Sequence, residues 1–148
     1  MGRKMRIFLD TNIFLAILNE EENWQFAEKV LLDIHNGKYT GYTSVICVSE
    51  ILSGFYAEDE SEKGEMFLTD LKAINNLTIT DVDLIIAKDA AKMRAKYKIK
   101  LPDAMIASSC MIHKCKLITQ DENLKKVKEI DVKSIDHEFR VMNTNIRI

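Results

Sequence analysis

The sequence predicts an α/β chain, a three-layer sandwich in which a mainly parallel five-stranded sheet carries helices on both faces. Two observations lead there. Short strand-like runs alternate along the chain with segments whose apolar residues recur at helical spacing. Two of the strand-like runs also have an acid at or just past their end, Ile7-Phe8-Leu9-Asp10 and Leu117-Ile118-Thr119-Gln120-Asp121. A run that is apolar without alternation is the pattern of a strand buried on both faces, as in parallel sheets. Right-handed crossovers then bring every strand's carboxyl end to one edge, and open α/β sheets bind ligands at that edge.

The first strand delivers Asp10, Thr11 and Asn12 to this edge. Asp10 or Thr11 is there either a helix cap or a functional group, and the stretch alone leaves both open. A short helix is predicted over 13–18. A second runs over 24–35, with Asn23 as cap and Phe26, Val30 and Leu31 at helical spacing; Asn36-Gly37-Lys38 stops it. Residues 39–44 read as a strand and 45–56 as a helix with the stripe Val48, Ile51, Leu52 and Phe55. Glu50 lies on the other side of that helix among Ile46, Cys47 and Gly54. That setting suits a cavity, while a plain exposed glutamate fits the sequence equally well.

From Glu50 to Asp70 there are seven acids against one lysine. The dense part, 58–62, reads as a loop and helix start with Asp59 as cap and Glu62 reaching back to it. That helix continues to about residue 75. A third strand is expected over 77–80 and a longer helix over 83–97. Lys88, Lys92 and Lys96 stand four apart on one face of this helix, either as a solvated face or as a stripe that faces phosphate. Pro102, the only proline, opens the next helix and holds Asp103 in its first turn, at the positive end of the helix dipole. A fourth strand over 116–119, a short helix over 123–127 and a last strand over 132–135 complete the pattern. The tail from residue 136 shows no period.

With 148 residues, 47% hydrophobic and 30% charged, the chain suits one domain over 1–148 with a real core. No apolar run approaches the ~20 residues of a membrane span, and the basic N-terminus leads into too short a run for a signal peptide. An odd count of three cysteines, without a secretion signal, points to free thiols in a reducing cytoplasm. Cys110, His113 and Cys115 lie close enough in sequence for a metal site but lack a C-x-x-C or a second ligand pair; core thiols are the alternative. The net charge of −2 does not itself announce a nucleic-acid binder.

Asp10, Asp121, Asp103 and, one turn into its helix, Glu50 are all expected at the same sheet edge. Four carboxylates without a cation repel one another, so the cluster calls for protons or metal. Oxygen donors with open water positions suit Mg²⁺ or Mn²⁺. No histidine, serine or cysteine stands at these positions as a nucleophile, which leaves metal-assisted hydrolysis. A haloacid-dehalogenase-type phosphatase needs a second acid two residues after the first, where this chain has Asn12. A response-regulator receiver needs an early acidic pair, and Asp10 has no acidic neighbour.

Asp10-Thr11-Asn12, Glu50 within Val48-Ser49-Glu50-Ile51, Leu101-Pro102-Asp103-Ala104 and Thr119-Gln120-Asp121, in this order, resemble the motifs of the PIN-domain family. The resemblance implies a PIN-like fold and a Mg²⁺- or Mn²⁺-dependent ribonuclease. Asp10, Glu50, Asp103 and Asp121 would be the catalytic metal ligands, with Asn12 and Thr119 in support. A stand-alone domain of this size is similar to the VapC-type toxins, which implies a homodimer and a protein antitoxin. A PIN nuclease of RNA processing, or a PIN module that binds RNA or protein without cleaving, is the alternative.

Overall fold

The strand Arg6–Leu9 (β1) is the axis of the molecule. Ile7, Phe8 and Leu9 are fully buried, and because strand side chains alternate, Ile7 and Leu9 enter one apolar cluster and Phe8 the other. Burying each contributes about 1.5–3 kcal/mol, so one short run ties both helical layers to the sheet. The structure, a computed structural model, describes residues 4–135. The tail from residue 136, and with it the end of the expected 1–148 domain, lies outside the described residues.

After β1 come α1 (Thr11–Leu18), α2 (Trp24–His35), β2 (Thr40–Ser44), α3 (Val45–Ala57), α4 (Ser61–Lys72) and β3 (Leu77–Thr80). The second half holds α5 (Leu84–Tyr97), α6 (Leu101–Ile112), β4 (Lys116–Ile118), a 3-10 turn (Glu122–Lys126) and β5 (Asp131–Lys133). The five strands are all parallel, in the order β3-β2-β1-β4-β5. Helices α1, α2 and α4 pack on the face of Ile7, Leu9 and Ile118, α5 and α6 pack on the face of Phe8 and Leu117, and α3 gives Ile51 to the first cluster and Cys47 to the second. The expected three-layer α/β sandwich is therefore the observed fold.

Connectivity positions the site. From β1 the chain moves outward to β2 and β3, then returns across the sheet to β4 on the other side of β1. The crevice between the carboxyl ends of β1 and β4 is thus a topological switch point. Leu9 pairs with Ile118, and the ladder runs one residue further as the Asp10 amide donates to the Ile118 carbonyl at 3.2 Å. This register sets Asp10 beside Thr119.

Local chemistry explains most helix ends. Ser44 accepts from the Ile46 amide at 3.0 Å and starts α3 with no intervening loop. Asp83 caps α5 through the Ile86 amide at 2.9 Å. Pro102 lies in the first turn of α6, and Gly37, with φ 86°, takes the left-handed conformation after α2. The start of α4 differs from expectation. Asp59 is in the left-handed region (φ 57°) and Glu60 stands at the cap position, so the expected Asp59–Glu62 capping box does not form. Helix α4 also ends at Lys72, and β5 begins at Asp131.

Gly41 lets α2 sit close on β2. A Cβ there would meet Ile34 Cδ1 at 2.7 Å and Cγ2 at 2.8 Å, and Ile34 is fully buried. Gly41→Val therefore overpacks this contact and is expected to cost about 1–3 kcal/mol in urea unfolding; an unchanged midpoint would mean that α2 can lift off without loss.

Candidate active site

The four acids reach the switch point from four different elements. Asp10 follows β1 directly and is only 4% exposed. Its Oδ1 accepts from the Thr11 amide at 2.7 Å; its Oδ2 accepts from Thr119 Oγ1 at 2.6 Å and Asn12 Nδ2 at 3.3 Å. Asp10 thus caps α1 and lies at the switch point at once. Thr119 is the hub: its hydroxyl oxygen also accepts from Asn12 Nδ2 at 3.1 Å and from the Asp121 amide at 3.0 Å. Asn12 Oδ1 accepts from the Gln120 amide at 3.0 Å. These bonds lock the turn after β1 to the turn after β4. Asp121 accepts from the Asn123 amide at 2.9 Å at the start of the 3-10 turn.

Glu50 is exposed, in the second turn of α3. Of the two settings open from sequence, neither is complete: the side chain meets solvent, yet its Oε1 accepts from Thr11 Oγ1 at 2.7 Å. Asp103 is half-buried in the first turn of α6.

Electrostatics join the four. Burial first, then the charges of Asp121, Asp10 and Glu50, push the Asp103 carboxyl up to about 6 against a weak opposing effect of Lys100. Burial, with smaller contributions from Glu50 and Asp121, also raises Asp10 despite the bonds from Thr119 and Thr11. None of the ion pairs among the described residues uses any of the four acids. An uncompensated set of hard oxygen donors fits a divalent cation such as Mg²⁺ or Mn²⁺. Among the described residues no three His, Cys, Asp or Glu are gathered tightly enough to chelate an ion by themselves. Mg²⁺ does not require that, since it is usually held by one or two carboxylates and keeps several waters.

The other sequence candidates lie elsewhere. Lys88 and Lys92 are exposed on α5, whereas Lys96 pairs with Glu129 at 3.6 Å and sits 5.1 Å from the Tyr97 ring centre. Cys110 and Cys115 are buried and donate to the carbonyls of Cys115 and His113, while the His113 ring stacks on Tyr42 at 5.4 Å; the two thiols belong to the core. Cys47 lies in α3 beside Asp10, and burial pushes its thiol up to about 11, so it stays neutral. Thr11 was legible only as a possible cap; its bond to Glu50 depends on α1 and α3 starting side by side.

A groove of about 610 Å³ opens between α1, α3 and α4. Leu15, Ile51, Phe55 and Phe67 line it, and Glu58 and Asp70 are among its polar residues. Gly54 faces open space, where an added Cβ would meet nothing within 4 Å. Leu15 is one turn beyond Thr11 on α1 and Gly54 one turn beyond Glu50 on α3, so the groove leads away from the acids along two shared helices.

A parallel α/β domain with carboxylates converging at its switch point defines a class. The PIN domain family model matches residues 7–130, and the chain belongs to that family. No curated protein sequence matches it. Solved structures share the fold. The VapBC2 complex of Rickettsia felis bound to a promoter DNA fragment gives a TM-score of 0.73 at 19% identity, covering 88% of this chain and 98% of the other. FitAcB from Neisseria gonorrhoeae gives 0.70 at 24% identity, covering 88% and 99%. VapBC-1 from nontypeable Haemophilus influenzae gives 0.70 at 18% identity, covering 90% and 100%. No helix among the described residues is long and apolar enough to cross a membrane.

The raised acids fix a sign. A carboxyl whose folded pKa exceeds its unfolded value contributes stability below the unfolded value and loses it as pH climbs through the folded one. With Asp103 moved from 3.8 to about 6, metal-free protein is expected to lose stability between pH 4 and pH 7. Asp103→Asn should melt higher than wild type at pH 7 and alike at pH 4, by scanning calorimetry without divalent cations. A gap equal at both pH values would mean that Asp103 feels no such field.

Proposed function

We propose that this chain is a Mg²⁺- or Mn²⁺-dependent ribonuclease and the toxin of a toxin–antitoxin pair. The observation that carries the reading is that Asp10, Glu50, Asp103 and Asp121 come to one edge of the sheet with none of them in an ion pair among the described residues, where burial first and then the charges of the other three raise the Asp103 carboxyl to about 6. RNA is a polyanion, and a site with this charge repels a phosphodiester unless a cation stands between them. The four acids would hold that cation; when bound, it supplies Lewis acidity toward water and the phosphodiester. Thr119 and Asn12 keep Asp10 and the Asp121 turn in fixed relation, so the donors need little reorganisation. Lys88 and Lys92 offer exposed positive charge for phosphate on the flank of α5, a role in which Lys96 is hampered by its bond to Glu129.

The partner reading rests on the groove. The solved structures that share the fold include a toxin-antitoxin complex from Klebsiella pneumoniae. An apolar groove edged by Glu58 and Asp70 suits an amphipathic segment with basic residues, and its lining residues Leu15 and Gly54 lie one turn from Thr11 on α1 and Glu50 on α3. A segment lying there could carry a basic side chain to the acids and hold the nuclease silent. Leu84 and Ile85, 83% and 65% exposed at the start of α5, supply apolar surface for the proposed homodimer. A cytoplasmic location accords with the proposed substrate.

Asp10→Asn keeps the volume and an acceptor oxygen but removes a charge. It is expected to cut Mn²⁺-dependent RNA cleavage by about 100-fold or more while the metal-free melt holds or rises. Cleavage by the variant at the wild-type rate would overturn the mechanism. RNA binding with no cleavage by the wild-type protein would favour the non-catalytic module.

A further inference from the structure

Thr11 is bonded to two of the four acids at once. Its amide donates to Asp10 Oδ1 and its hydroxyl to Glu50 Oε1, both at 2.7 Å. It is the first residue of α1, so the amide bond that caps the helix also fixes the backbone from which the hydroxyl projects. Threonine is β-branched and stiff at χ1, which holds the hydroxyl in place. Glu50 is the opposite case. It is exposed, its side chain turns about three bonds, and ordering such a chain costs up to about 2 kcal/mol of entropy. Asp10 is buried, whereas Asp103 and Asp121 sit on short side chains at partly covered helix starts. Glu50 is therefore the acid least fixed by its own surroundings.

We propose that Thr11 is the positioning residue that fixes Glu50 as a cation ligand, an inference that rests on the metal-dependent reading above. A hydroxyl bound to an ionised carboxylate is among the stronger hydrogen bonds. It occupies Oε1, and among the described residues Oε2 has no protein donor, so that oxygen remains for a cation. Because one residue touches both Asp10 and Glu50, it also sets the spacing between the acid of β1 and the acid of α3. The hydroxyl itself touches no reacting atom.

The test is Mn²⁺ affinity, read from free Mn²⁺ by electron paramagnetic resonance without RNA. Thr11→Val is expected to weaken binding about 10-fold, the scale for losing a residue that orients a ligand, and Thr11→Ser to restore it to within about twofold. In a Glu50→Gln background, Thr11→Val should add nothing. The Mn²⁺ concentration for half-maximal RNA cleavage should rise in step, with kcat at saturating Mn²⁺ largely kept. Metal-free melting checks the fold, and Thr11→Ala reads the same affinity should the valine variant not fold. Wild-type affinity in the folded Thr11→Val or Thr11→Ala variant overturns the proposal. If Asp10→Asn abolishes Mn²⁺ binding while these variants bind normally, Thr11 alone loses its role. If Asp10→Asn binds as wild type does, the carboxylate reading falls and Thr11 falls with it.

Discussion

The constraint on which the site depends is the gathering of four acids at one edge of the sheet, where burial first and like charge second disfavour ionisation. Two acids follow β1 and β4, one sits in the second turn of α3 and one in the first turn of α6; burial and their neighbours' charges drive Asp103 toward neutrality. Such a cluster survives only if its backbone is held from elsewhere. Here the Leu9–Ile118 pairing extends through the Asp10 amide, and the Thr119 hydroxyl ties Asp10, Asn12 and the Asp121 amide into one unit. The stability that this arrangement costs is offset by the apolar clusters on both sides of β1, where Ile7, Phe8 and Leu9 have no exposure.

The same constraint links the site to the rest of the surface. Helices α1 and α3 begin without loops at the ends of β1 and β2, so Thr11 in the first turn of α1 and Glu50 in the second turn of α3 lie near the sheet edge while residues further along both helices line the groove. A ligand in the groove and a cation at the acids, as proposed, would thus lie against the same two helices. In the proposed function this is how a protein partner could govern a nuclease with no moving domain.

Much of this was legible in the sequence, for reasons that differ by element. The β1 run could be read because burial on both faces leaves no alternation, and α6 could be placed because Pro102 marks a helix start. Asp10, Asp103 and Asp121 could be placed at one edge because parallel strands share a direction. Three features were not legible. The start of α4 depends on Asp59 taking a left-handed backbone, which several residue types tolerate and no local pattern announces. The Thr11–Glu50 bond spans 39 positions and exists only once α1 and α3 lie together. Exposure of Glu50 was likewise open, because the small and apolar neighbours Cys47 and Ile46 serve the core beneath α3 rather than a cavity above it.

The central claim is that these four acids form one cation site. Crystals grown with Mn²⁺ and measured at a wavelength where manganese scatters anomalously test it most directly. The account predicts an anomalous peak in the crevice between β1 and β4, within about 2.2 Å of oxygens of Asp10 and at least one of Glu50, Asp103 and Asp121. Manganese bound elsewhere on the protein, with the crevice empty at saturating Mn²⁺, would contradict it.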